Sequence, residues 1–200
     1  MTDRYHHGDL RRQLLLRAGD VLESQGPDAI TLRGLARSLG VSHTAPSHHF
    51  ADRDALLIAL AAQGHDMLQS AMTERLATDH HSPAQVAIGE GYLDFALTHP
   101  QRFRLMFAGI ADLHPSASPD FARAAQASFS TLVQVTDTGT RTATDPSDWL
   151  SAWALVHGLA TLWVDGVLAS GFTGDNAVDD FRSIATTILS DHTRASRGSP

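Results

Sequence analysis

The stretch Thr31-Leu32-Arg33-Gly34-Leu35-Ala36-Arg37-Ser38-Leu39-Gly40-Val41-Ser42-His43-Thr44-Ala45-Pro46-Ser47-His48-His49-Phe50 reads as two short helices joined by a tight turn. Thr31 has the hydroxyl of a helix cap, and Leu32, Leu35, Ala36 and Leu39 recur at the spacing of one helical face. Gly40 supplies a left-handed residue that a β-carbon would oppose, and Ser42 is placed to cap a short third helix. Ala36 is small where a second helix must cross closely, and Leu35, Leu39, Val41 and Phe50 can form the small core that fixes the crossing angle. Two ordinary packed helices would share the glycine turn but not the whole constellation. The pattern fits a helix-turn-helix, whose second helix presents its amino-terminal end to a major groove.

Upstream, Leu10, Leu14, Ala18 and Leu22 define an amphipathic helix that ends at Gly26-Pro27. Downstream, Asp52 caps a long fourth helix carrying Leu56, Leu57, Leu60, Ala61, Met67, Leu68 and Leu76. Four further polar-Pro pairs (Ser82-Pro83, His99-Pro100, Ser118-Pro119 and Asp145-Pro146) mark helix starts, because the missing N–H of proline costs nothing at the first helical position. Gly171 and Gly174 separate the last two helices, and Val133-Gln134-Val135 is the only β-flavoured patch. The expectation is an all-α chain of about nine helices. Residues 1–52 form the three-helix unit, 53–78 a connecting helix, 79–193 a helical body and 194–200 a frayed tail.

Composition narrows the function. The 200 residues hold 22 acidic side chains, 15 basic ones and no cysteine, for a formal charge of −7. Without cysteine there is no disulfide, zinc-thiolate site or thiol nucleophile, and three glutamates (Glu23, Glu74, Glu90) cannot build a carboxylate-bridged di-iron bundle. All 15 basic residues are arginine, whose planar donor fork suits phosphates. The acidity is uneven. Residues 1–65 carry seven arginines against seven acids and half of the 12 histidines, so the whole −7 resides in the remainder. No apolar run reaches the roughly 18 residues of a membrane span. Met1 opens onto Thr2-Asp3-Arg4-Tyr5-His6-His7, unlike a signal peptide, so a cytoplasmic bacterial protein with no membrane partner is expected.

Tyr5-His6-His7-Gly8-Asp9-Leu10-Arg11, the Thr31–Phe50 segment and Asp52-Arg53-Asp54-Ala55-Leu56 together resemble the tetracycline-repressor (TetR) family of bacterial one-component regulators. The resemblance covers roughly residues 5–65, with several motifs in order at the family's spacings. It implies a homodimer, a DNA-binding unit at the amino terminus and an all-α ligand-binding and dimerisation body. An effector bound in that body would lower DNA affinity. By their chemistry, Thr31 and Arg33 suit phosphates, Ser42, His43 and Thr44 suit base edges, and His48 follows one turn later. Ser47 and His49 match positions where the family usually has a Tyr and a His on phosphates, and Arg53 matches a basic phosphate-binding position. Tyr5, His6 and His7 form either an arm on the DNA backbone or a loose tail. Two departures stand out: Ser47 replaces the family's longer tyrosine, and Pro46 removes an early intrahelical bond.

The body lacks a phosphate loop, a G-x-S-x-G elbow and an HExxH motif. The chain's adjacent histidine pairs (6/7, 48/49 and 80/81) diverge on a helix instead of converging on a metal, and Asp112, His114 and Asp165 are bare candidates. No catalytic residue, metal site or cofactor is expected. From Trp149 to Gly171 apolar residues surround the helix: Trp149, Trp153, Val156, Ala160, Val164 and Val167 on one stripe, and Ala154, Gly158 and Thr161 opposite. One face then serves the body and the other a second subunit. Trp153-x3-His157-Gly158 resembles a TetR subgroup whose carboxy-terminal domain carries a Trp-His-Gly signature. The ligand candidates are Phe95, Phe103, Met106, Phe107, Phe129, Trp153 and His157, an aromatic and methionine set with one polar ring, which suits a small, mostly apolar effector. The same residues at helical spacing also make an ordinary core. The leading expectation is a homodimeric repressor that binds a double-stranded operator and dimerises through its last two helices. The alternative is a dimeric small-molecule-binding protein whose DNA affinity is weak or lost, as Pro46, Ser47 and the neutral front unit suggest.

Overall fold

The computed structural model describes residues 7–107, 118–136, 146–168 and 170–198. Among them are eight α-helices and two 3-10 turns, with no strand. The nine expected helical segments are all accounted for, but the third is 3-10 instead of α. Val133–Val135 lies in a helix. No helix among the described residues is long and apolar enough to cross a membrane.

The chain packs as two compact units, Met1–Gly64 with Gln101–Ala124 and His65–Pro100 with Ala125–Pro200. Residues 101–107 and 118–124 therefore pack with the front unit, although they follow the long helix in sequence.

In the first unit, α1 (His7–Gln25) buries Leu10, Leu14, Leu15, Ala18 and Leu22. It stops where Gly26 adopts φ 82° before the 3-10 turn Pro27–Ala29. Thr31 caps α2 (Leu32–Ser38) by accepting the Gly34 N–H at 3.0 Å. Gly40 takes φ 68°, the left-handed geometry the turn requires. A second 3-10 turn, Ala45–His48, precedes α3 (Arg53–Thr78), whose first turn is capped by Asp52 through the Ala55 N–H at 2.7 Å. The short α5 (Pro100–Phe107) completes the described core with buried Arg102, Phe103, Leu105 and Met106.

The second unit is organised around α4 (Ala84–Thr98), which is buried on nearly every side from Val86 to Ala96. A helix apolar all round belongs at the centre of a bundle. Around it pack the later part of α3, the later part of α6 (Pro119–Thr136), α7 (Pro146–Val164) and α8 (Ala177–Gly198). Glycines permit the approach: a β-carbon on Gly89 would lie 2.8 Å from Leu189, and one on Gly91 2.6 Å from the Ala71 carbonyl. One charged group is tolerated in this centre because it is fully paired. Glu90 accepts from Arg75 at 2.6 and 2.9 Å and from the Thr186 hydroxyl at 2.9 Å.

Helix boundaries differ from expectation in two places. The helix opening at Pro146 ends at Val164, where Gly166 turns the chain with φ 73°, so Val167 leaves the stripe and is 62% exposed. The last helix continues to Gly198, through most of the segment read as a tail. Ser118 caps α6 as expected, its hydroxyl oxygen accepting the Phe121 N–H at 3.3 Å. Asp145 lies outside the described residues.

Candidate functional site

The front unit presents a polar tip. Ser42, His43, Thr44, Ser47 and His48 are exposed, His49 is half-buried, and Leu35, Ala36, Pro46 and Phe50 are buried beneath them. Leu39 and Val41, expected in the same core, are only half-buried. Pro46 takes up core space instead, which the sequence reading did not foresee. Its carbonyl also accepts the N–H groups of His49 and Phe50 at 2.9 and 3.0 Å. The Arg11 guanidinium lies 5.3 Å above the Phe50 ring and ties α1 to the same core.

Pro46 also explains a correction. Ser42 does not cap a third α-helix. Thr44 stands at the start of the 3-10 turn, and Ser42 Oγ is 3.1 Å from Thr44 Oγ1. Proline has no N–H to donate and crowds the residue before it, so the segment closes with three-residue bonds from Ala45 to Ser42 and from Ser47 to Thr44.

The remaining tip candidates divide by what they already bond. Thr31 and Arg33 are exposed, with the Thr31 hydroxyl engaged by Gly34. Arg53 is half-buried and braced inward. Its Nε donates to the Ile30 carbonyl at 3.1 Å and its Nη2 to the Pro27 carbonyl at 2.7 Å, with Asp28 at 3.5 Å and Asp54 at 3.8 Å. Its first role is to hold the Pro27–Ile30 turn that leads into α2. Tyr5 and His6 lie outside the described residues, as do the side chain of His7 and residues Asp112 and His114.

Of the seven ligand candidates, three belong to the first unit and four to the second. Phe103, Met106 and Phe107 belong to the first unit, where the two phenylalanine rings sit 5.0 Å apart and Met106 packs against Gly64. Phe95, Phe129, Trp153 and His157 belong to the second. There, Phe95 is buried with His99 5.5 Å away, and Phe129 meets Trp149 and Trp153 edge-on at 5.0 and 6.2 Å. His157 stacks on Trp153 at 5.4 Å and bonds the Tyr92 hydroxyl through Nδ1 at 2.8 Å. Burial lowers the His157 pKa and raises that of Tyr92, so both stay neutral near pH 7. Tyr92, fully buried, was missed by the sequence reading because a lone tyrosine in an apolar helix carries no signal of its partner.

Within the second unit a cleft opens between α4, α6, α7 and α8, with about 430 Å³ of space including its open mouth. Of the seven candidates only Trp153 lines it. Beside it on α7 are Trp149, Ala152 and Val156. Ile88, Gly89 and Gln85 form the α4 wall, Leu132 the α6 wall, and Leu189, His192 and Thr193 the α8 wall. These come from four separate segments, and helical periodicity does not reveal which faces of different helices converge. Its enclosed part has room for about two waters, so a larger guest must part the side chains. No cluster of three or more His, Asp or Glu able to hold a metal occurs among the described residues.

Comparison with known proteins matches both halves of the chain. The family described as "Bacterial regulatory proteins, tetR family" matches residues 14–60, and "Tetracyclin repressor-like, C-terminal domain" matches residues 86–186. The HTH-type transcriptional repressor Rv1474c of Mycobacterium tuberculosis is 39% identical over 72 residues, which are 36% of this chain and 34% of that protein, so the match spans about a third of that relative. A solved structure of a protein with unknown function from Rhodococcus sp. RHA1 is 35% identical, with a TM-score of 0.72 over 94% of this chain and 100% of that one. The TetR-like regulator LfrR of Mycobacterium smegmatis, solved in complex with proflavine, shares the fold at 20% identity. Its TM-score is 0.57, over 90% of this chain and 96% of that one.

Proposed function

Since the chain belongs to the TetR family of bacterial transcriptional regulators and carries its DNA-binding amino-terminal domain, we propose that it is a homodimeric repressor released from its operator by a small, mostly apolar molecule. The observation that carries this reading is the tip of the first unit: hydroxyls and imidazoles outward, a buried apolar set beneath them. Ser42, His43, Thr44 and His48 reach base edges, and Thr31, Arg33, Ser47 and His49 reach phosphates. Arg53 adds a phosphate contact through whatever donor capacity its inward bonds leave. Each recognition segment enters one major groove, so the operator has two half-sites about one helical turn apart or a multiple of that.

Dimerisation through α7 and α8 is supported by their outer faces. Leu150 (46% exposed), Leu162 (41%), Ile184 (51%) and Ile188 (37%) leave apolar surface uncovered. Binding of a small aromatic molecule has a precedent in LfrR, which was solved in complex with proflavine. The protein acts in the cytoplasm, without catalysis and without a cofactor.

Mobility-shift assays with the DNA upstream of the chain's own gene test the reading. Retardation of one fragment at low salt is expected. If no fragment is retarded, the repressor reading falls and the alternative of a dimeric ligand-binding protein with lost DNA affinity replaces it. The 3-10 tip is the observation that keeps that alternative in view.

A further inference from the structure

We infer that the cleft between α4, α6, α7 and α8 is a site for an uncharged, flat aromatic molecule that carries a hydroxyl or amide on its edge. This inference rests on the reading of the second unit as a sensor, and it names both the place and the class of the ligand.

The walls set the shape. Trp149 and Trp153 lie one helical turn apart on α7 and both line the cleft. Both indoles are held: Phe129 meets each edge-on, and His157 stacks on Trp153 from its bond to buried Tyr92. Indoles held by such contacts offer flat surface, and an aromatic guest that parts the facing aliphatic side chains Ile88, Leu132 and Leu189 gains from stacking against them. Ile88 supplies apolar wall from α4.

The walls also set the charge. Among the described residues lining the cleft none is acidic or an arginine. Two carboxylates on the same helices are already paired: Glu90 with Arg75 and Thr186, and Asp191 with Arg194 at 2.7 Å. A charged guest would lose hydration without meeting a counter-ion.

The polar groups that do line the cleft are neutral amide and hydroxyl groups and one imidazole. Thr193 donates its hydroxyl to the Leu189 carbonyl at 2.9 Å and so presents lone pairs outward as an acceptor. His192 Nε2 sits 3.4 Å from Ser151 Oγ, and Gln85 stands on the α4 wall. An edge hydroxyl or amide can both donate to the first and exchange hydrogen bonds with the other two.

Isothermal titration of the full chain with three two-ring or three-ring probes tests this: 2-naphthol as the uncharged case, 2-naphthoate as the anion and proflavine as the cation. 2-Naphthol is expected to bind once per chain, about tenfold or more tighter than either charged probe. Ala152→Phe fills the cleft and should weaken 2-naphthol by about tenfold or more with unchanged circular dichroism. If that variant does not fold, Gln85→Leu serves instead, and a loss of about fivefold is expected from one hydrogen bond. Equal or tighter binding of a charged probe, no binding of 2-naphthol at millimolar concentration, or full affinity in a folded cleft variant each overturns the inference. The titration contains no DNA. Failure to retard any operator fragment would sink the repressor reading and leave this result standing.

Discussion

Glu23, on α1, caps α5 from 78 residues away: its two carboxylate oxygens accept the backbone N–H groups of Gln101 and Arg102 at 3.1 and 3.2 Å. The same carboxylate lies 3.9 Å from the Arg102 guanidinium, which also donates to Gln63 at 3.0 Å and to the Leu60 carbonyl. Gly19 leaves room for that guanidinium, which a β-carbon there would strike. One acidic side chain thus both satisfies a helix amino terminus and neutralises a buried cation.

The two partners should respond unequally to removal. Arg102 is 6% exposed and burial lowers its pKa, with Glu23 acting to raise it. Glu23→Ala leaves that charge with only Asp20 to offset it and two N–H groups without acceptors, for an expected loss of about 3 kcal/mol. Arg102→Met keeps the stem packing and leaves a partly exposed carboxylate that water can reach, so about 1 kcal/mol is expected. Urea unfolding of both variants checks the order, and an Arg102→Met loss larger than that of Glu23→Ala would refute it.

Arg53 should matter to the protein without DNA. Its bonds to the carbonyls of Pro27 and Ile30 need the spread of a guanidinium, so Arg53→Lys and Arg53→Ala should each lower stability by about 1 kcal/mol. A residue that serves phosphates alone would leave the thermal midpoint of the free protein unchanged, so an unchanged midpoint would return Arg53 to that single role.

These two cases mark what could be read from the chain. The caps at Thr31 and Asp52, the Gly40 turn, the buried Ala36 and the all-α class follow from local chemistry, which the spelling of residues 10–60 carries. Glu23 meeting Gln101, and Trp149 converging with Ile88 and His192, depend on which helix faces meet across long separations, and periodicity does not encode that. Pro46 was read correctly as an obstacle to a regular helix, yet its buried ring was not anticipated, because proline is more often exposed. The ligand set gathered aromatic residues by type, and the fold distributes them over two units.

Acid should weaken the second unit through His65. Its ring is buried, with Nδ1 3.0 Å from Ser128 Oγ, and burial pushes its pKa from 6.5 down to about 4, with Asp66 opposing the shift in part. The Ser128 hydroxyl donates to the Ala125 carbonyl at 3.0 Å, so it accepts from the imidazole, which fixes the proton on Nδ1. A lowered folded-state pKa means that the unfolded chain binds the proton first. Stability is full above pH 6.5 and declines as pH falls through 6.5 towards 4, by about 3 kcal/mol over that window. His65→Gln should remove this part of the slope. Equal declines in urea midpoint for both proteins between about pH 7 and pH 4.5 would rule out the assignment.

Gly91 is the position where the centre of the second unit admits no side chain. A β-carbon there would stand 2.6 Å from the Ala71 carbonyl oxygen and 2.8 Å from the Met72 α-carbon, and both are backbone atoms of α3 that cannot rotate aside. Gly91→Ala raises helix propensity by roughly 1 kcal/mol, yet it must push α4 and α3 apart around fully buried Tyr92 and Met72. A net loss of about 2 kcal/mol is expected. Gly158→Ala is the matched control, since a β-carbon on that residue of α7 meets nothing within 4 Å. It gains the same propensity without the clash and should stabilise by about 0.5–1 kcal/mol. Calorimetric midpoints moving in opposite directions would separate steric closure from propensity, whereas two increases would mean that α3 and α4 can part at little cost.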